Sequence, residues 1–169
     1  KVYEAVLRLG VETDTQDATG TVIATSGGVD FSRSTIVSAM KRFTGVIQQR
    51  PPVYSALKHK GVPLYKLARR GKPVQKPARQ VVVSELRLRQ ISLPEVVFEV
   101  SCSAGTYVRT LCADIGTTLG CGGHLKALRR IESGGYGLAD AAGLPVLEEL
   151  HREGRLGDRV IGMADALRM

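Results

Sequence analysis

No stretch of the 169 residues approaches the run of about eighteen apolar residues that a membrane-spanning helix needs, which excludes such a span within the sequence. Cysteine is scarce: Cys102, Cys112 and Cys121 are odd in number and form no CxxC pair. Cys112 also falls on an apolar helical stripe, so neither a disulfide framework nor a zinc site is indicated, and all three are expected in the core. Carboxylates suited to a metal occur together in TDTQDATG, as Asp14 and Asp17. An EF-hand counted from Asp14 would need an acid at its twelfth position, where Thr25 stands, so no metal is expected. Internal repeats are absent. The opening KVYEAVLRLG alternates like a strand, unlike a signal peptide, and a cytoplasmic protein is expected.

The most informative scarcity is of acid. Between Lys41 and Arg89 stand thirteen Lys or Arg and one carboxylate, Glu85, a local charge of +12 in a chain whose net charge is +8. The rest of the chain therefore sums to −4, and the positive charge is one block. Val53, Tyr54, Leu57, Leu64, Tyr65 and Leu67 interrupt it with side chains that can pack, so it reads as a folded basic surface rather than a disordered tail. Such a surface, with aromatics interleaved, suits a phosphate backbone and unstacked bases; the plainer alternative is a solvated face.

With 43% apolar and 24% charged residues the chain is long enough for one full core. Val2 to Leu9 alternates as a strand, and TDTQDATG reads as a turn held by Asp and Thr side chains before a second strand, Thr21 to Thr25. Capping residues within Asp30 to Ser34 start a helix that runs to about Phe43, with Ile36, Ala39, Met40 and Phe43 on its buried face. The basic block then holds an extended Tyr54 to Leu57, a turn at His59 to Gly61 and a short helix, Pro63 to Arg70. It reads as an insertion of about residues 52–80, with GKPVQKPAR as its return hinge.

Val81 to Leu88 and Val96 to Ser101 are expected as antiparallel strands leading into CSAGTYVRTLCADIG. There Val108, Leu111, Cys112, Ile115 and Leu119 form one helical stripe. Arg109 lies off that stripe in the first turn, where a strand C-terminus meets a helix N-terminus. In isolation it reads either as a site residue or as a surface arginine on a carboxylate. His124 to Ile131 is expected as a further strand or extended edge. A helical tail occupies about 139–169, with its helix at Leu144 to Glu153, acids early, and nothing completed at Asp165-Ala166.

Four of these stretches, in order, resemble one family: KVYEAVLRLG with TDTQDATG, PPVYSALKHKG with LYKLARRG, CSAGTYVRTLCADIG, and LGCGGHLKALRRIESG. The family is the bacterial tRNA pseudouridine synthases of the TruB type, and the resemblance covers most of residues 1–136. It implies an α+β fold, the pseudouridine synthase core, with a mixed, mainly antiparallel sheet, flanking helices and the basic insertion as a thumb that closes on RNA. It further implies isomerisation of a T-loop uridine of tRNA, position 55, to pseudouridine without cofactor or metal. An aspartate attacks, the glycosidic bond breaks, and the uracil rejoins the ribose through carbon. The partner implied is the T-arm stem-loop, and a monomer is expected.

By match, Tyr3 is the tyrosine that stacks on the flipped uracil and a candidate for the final proton removal. Arg109 is the arginine that pairs with the nucleophilic aspartate. Leu128 packs on the base with Tyr107 beside it, and Asp17 shapes the site. Lys58, Lys60, Arg69, Arg70 and Lys72 are the phosphate contacts, whereas His59 reads as an exposed turn residue and His124 as a structural hydrogen-bonder. The family's aspartate lies in a loop close to GxLDPxATG, ahead of the K-x-Y block, and this sequence contains no such loop. The expectation is therefore a partial catalytic domain, residues 1–169, inactive alone, with Arg109 lacking its charge partner. The alternatives are an RNA-binding module that keeps the thumb without chemistry, or a basic structural domain with no preference for the T-loop.

Overall fold

A computed structural model describes residues 1–166; the last three residues of the tail expected at 139–169 lie outside the described residues. Strand β1 (Val2–Leu9) alternates as its sequence requires: Ala5, Leu7 and Leu9 are buried on one face, while Glu4 is exposed on the other. A short hairpin follows, β2 (Val11–Thr13) and β3 (Val22–Thr25), with the TDTQDATG turn between its strands. Helix α1 (Arg33–Lys41) begins at Ser32, whose Oγ accepts the Thr35 N–H, and it buries Ile36, Ala39 and Met40.

The chain then runs through β4 (Gly45–Gln49), a small hairpin of β5 (Lys58–His59) and β6 (Val62–Pro63), and α2 (Leu64–Arg69). The long strands β7 (Arg79–Ser92) and β8 (Glu95–Cys102) lead into α3 (Val108–Leu119), after which come β9 (Gly123–Ser133) and β10 (Tyr136–Gly137). Helices α4 (Leu144–Arg152) and α5 (Met163–Ala166) lie in the tail and bury no residue.

One sheet of order β10-β9-β1-β8-β7-β4 organises these elements, and all its described pairings are antiparallel. Among the described residues the one parallel contact is an isolated bridge between Asp17 and Leu125. Ala5 stands between Phe98 of β8 and Leu128 of β9, which places β1 at the centre. Phe98, Val96, Val100 and Leu7 meet Leu111, Cys112 and Ile115 of α3 and Ile36 of α1 in a single core. Each large apolar side chain removed from water there contributes about 1.5–3 kcal/mol. Gly116 lets α3 approach the start of β9: a Cβ at that position would lie 2.4 Å from the Gly122 carbonyl carbon and the Gly123 nitrogen. The three cysteines are free and buried, as expected of core residues, and burial pushes the Cys112 thiol up.

The structure corrects the local reading in several places. Strands β2 and β4 were not foreseen, because three and five residues carry too little periodicity. Tail helix α4 has no acid in its first turn; Glu148 and Glu149 fall mid-helix. Asp165 and Ala166 lie in a short helix, α5. The His124 to Ile131 segment is the expected strand: it pairs with β1, while β10 reaches only Glu132 and Ser133 beyond it.

Candidate functional site

The junction between β8 and α3 opens on a cavity of about 310 Å³ lined by Tyr3, Asp17, Tyr107, Arg109, Leu125 and Leu128, with Thr106 and Val108 completing its wall. That volume lies at the lower end of the range for small-ligand pockets, roughly 300–1,000 Å³. Four separate sequence stretches meet here. Tyr3 comes from β1, Asp17 from the hairpin turn, Tyr107 and Arg109 from the first turn of α3, and Leu125 and Leu128 from β9. Leu128 is 46% exposed, which for a large aliphatic side chain marks an open wall rather than core.

Arg109 is the polar centre. Its Nη1 donates to Asp17 Oδ2 at 3.1 Å and to the Thr15 carbonyl at 3.5 Å, and its Nη2 donates to the Tyr54 carbonyl at 2.8 Å. The aspartate that the match pairs with Arg109 is not in this sequence; the ion pair Arg109 makes here is with Asp17, held within reach by the β2–β3 turn. The turn itself is built around the same carboxylate. Asp17 Oδ1 accepts from Thr15 Oγ1, Thr19 Oγ1 and the Thr19 N–H at 2.6 to 3.0 Å. Burial by itself raises the Asp17 pKa. The Thr19 and Thr15 hydrogen bonds and the Arg109 charge outweigh it, so the carboxyl titrates below its ordinary value.

A second set of contacts ties the cavity to the basic insertion. Tyr54, at the insertion's root, offers its carbonyl to Arg109 and donates its hydroxyl to Asp14 Oδ2 at 3.2 Å. Asp14 in turn accepts the Thr21 N–H, so the hairpin turn grips both the arginine and the insertion. The five cations Lys58, Lys60, Arg69, Arg70 and Lys72 are all exposed on the β5–β6 hairpin and at and beyond the end of α2. None lines the cavity. Arg69 lies 5.5 Å over the Tyr65 ring, which fixes its direction. His59 is half-buried beside the Lys76 ammonium, and His124 is buried with Nδ1 2.8 Å from the Val11 carbonyl, a structural contact as expected. Among the described residues no cluster of His, Cys, Asp or Glu could hold a metal. No described helix is long and apolar enough to cross a membrane.

Sequence reasoning missed Gln49, Gln16 and Thr110. Gln49 is buried against the Tyr107 peptide, and Gln16 has φ +63° and accepts the Thr110 hydroxyl at 2.8 Å. No local signal marks them, because their partners lie 58 and 94 residues away along the chain.

Comparison with known proteins agrees with this architecture. The family profile "TruB family pseudouridylate synthase (N terminal domain)" matches residues 1–108, and "tRNA pseudouridylate synthase B C-terminal domain" matches residues 109–167. A tRNA pseudouridine synthase B of Geobacter sulfurreducens is 47% identical over 167 residues, covering 99% of this chain and 55% of that protein. One of Pseudomonas aeruginosa is 49% identical over 154 residues, covering 91% and 50%. A chain in the crystal structure of a Cbf5–Nop10–Gar1 complex superposes with a TM-score of 0.71 at 27% identity, covering 98% of this chain and 42% of that one. The chain spans about half the length of the curated relatives it matches.

Proposed function

The chain belongs to the TruB family of pseudouridylate synthases, and from that premise we propose that it holds a flipped T-loop uridine of tRNA for isomerisation to pseudouridine. The observation that carries this reading is convergence. Tyr3, Asp17, Tyr107, Arg109 and Leu128, drawn from four stretches of sequence, line one cavity of about 310 Å³. Two tyrosine rings and a leucine suit the faces of a planar base, and the Arg109–Asp17 pair supplies polar groups at one side.

Extracting a base from a folded loop costs a few kcal/mol of stacking, which phosphate contacts have to offset. The exposure of the insertion's cations supports that role for them, as does the double grip on Tyr54, which joins the insertion to the base cavity. Tyr3 stacks on the uracil, Leu128 and Tyr107 pack beside it, and Arg109 orients the attacking carboxylate. We assign that carboxylate to a GxLDPxATG-like loop, which these 169 residues do not contain, and expect them alone to bind without turnover. The reaction in this reading uses no metal or cofactor, and the protein acts as a cytoplasmic monomer.

Tritium release from RNA labelled at C5 of the target uridine tests the proposal. It should be absent for the 169 residues and present once a GxLDPxATG-bearing segment of the family precedes them; no release from a folded, complete protein would overturn the reading. One observation favours the second reading, a binding module without chemistry: the Arg109 charge is already neutralised by Asp17. Under that reading the T-arm hairpin binds and no version of the protein releases tritium.

A further inference from the structure

We propose that Gln49 is a positioning residue for the base cavity: its buried amide holds the Tyr107 peptide and so sets where Tyr107 and Arg109 stand. The inference rests on the reading of that cavity as a uridine site. Gln49 is the last residue of the edge strand β4 and is only 1% exposed. A buried amide costs a few kcal/mol unless its hydrogen bonds are made. Here one backbone unit makes them. The Tyr107 N–H donates to Gln49 Oε1 at 2.7 Å, and Gln49 Nε2 donates to the Tyr107 carbonyl at 3.1 Å.

The pair of bonds imitates what a neighbouring strand would provide, at a residue that belongs to no strand. Tyr107 is the N-cap of α3, with extended φ −101° and ψ 106° and no side-chain capping bond. The Gln49 oxygen accepts the N–H of the N-cap residue itself, the bond that a Glu or Gln at the third helical position makes in a capping box, and so fixes where the helix starts.

Its cross-strand neighbour completes the grip. Arg79 pairs with Gln49 in the β4–β7 register, donates to the Gly105 carbonyl, and lies 5.3 Å over the Tyr107 ring. Gly105 has φ +86°, and a Cβ there would come within 3.0 Å of the Arg79 guanidinium, so the turn and the arginine fit only as a pair. Two adjacent residues at the end of β4 and the start of β7 thus hold the peptide, ring and preceding turn of Tyr107. Arg109 follows two residues later on the same rigid helix. Gln49 itself does not line the cavity, so any effect on a bound base passes through Tyr107 and Arg109.

The test is fluorine NMR on a T-arm hairpin carrying 5-fluorouridine at the target position, with overall affinity followed separately by anisotropy of an end label. The wild-type protein should displace the fluorine resonance through the aromatic rings of the cavity. Gln49→Met should reduce the displaced population to less than about a tenth while affinity stays within about twofold, because the phosphate contacts lie elsewhere. An undiminished displaced resonance in Gln49→Met would overturn the inference alone. No displacement by the wild type would overturn the uridine reading, and the inference with it.

Gln49→Glu guards against a variant that merely misfolds. A protonated carboxyl can donate to the Tyr107 carbonyl and accept its N–H, whereas the carboxylate cannot donate. The displaced resonance should therefore grow in Gln49→Glu as pH falls from about 8 to about 5, with no such trend in the wild type. A flat profile in both would refute the positioning role.

Discussion

Removing Arg109 and Asp17 singly and together separates the pair's own energy from everything else the two residues do. At 3.1 Å and an effective dielectric of about 20, the bare attraction is about 5 kcal/mol. Both side chains are only about a quarter exposed, 23% and 24%, so desolvation offsets most of that attraction, and the net coupling should be about 1–2 kcal/mol. Arg109→Met also strips donors from the Tyr54 and Thr15 carbonyls and should cost about 3 kcal/mol in denaturant unfolding. Asp17→Asn keeps an oxygen for the threonine hydroxyls and should cost about 1–2 kcal/mol.

The coupling carries a pH signature with a definite sign. The Asp17 carboxyl titrates below its ordinary value in the folded protein, so its stabilisation is present above the unfolded pKa and is lost as pH falls through the folded one. The double-mutant cycle should therefore give full coupling at pH 7 and a fading one below about pH 4. A coupling under about 0.3 kcal/mol at pH 7, or one unchanged in acid, would show that the pair is geometric only and that the threonines alone hold the turn.

Other substitutions probe the scaffold and the proposed RNA surface. Gly116→Ala gains helix propensity yet drives a Cβ to within 2.4 Å of backbone on β9, so it should destabilise by about 3 kcal/mol in chemical denaturation. Ser32→Ala removes the Oγ that accepts the Thr35 N–H and should cost about 1 kcal/mol, with RNA affinity unchanged. Lys58→Ala and Arg70→Ala should each flatten the log–log salt dependence of T-arm binding by about 0.7 to 0.9 while leaving stability nearly untouched; an unchanged slope would remove them from the phosphate surface.

Periodicity made much of this molecule legible in its sequence. The buried stripe of α3, the alternation of β1 and β8, the cap at Ser32 and the acid-poor insertion are all local patterns, because a helix or strand face repeats within a few residues. Where the pattern was short, as in β2 and β4, it was silent. The candidate site divides the same way. Tyr3, Arg109 and Leu128 stand within motifs that can be matched one stretch at a time, and the structure places them on one cavity.

What surrounds them could not be read in that manner. The match pairs Arg109 with an aspartate outside this sequence and says nothing of an ion pair with Asp17, which only the hairpin turn that carries Asp17 back beside α3 creates. Gln49 belongs to the same class: nothing in GVIQQ distinguishes it from Gln48, yet one is sealed against the Tyr107 peptide and the other is exposed. Local spacing marks the longer helices and strands and the basic surface, since those depend on neighbours a few residues apart. Tertiary structure decided which buried polar groups answer one another, since a hydrogen bond across 58 or 92 residues leaves no trace in local spacing.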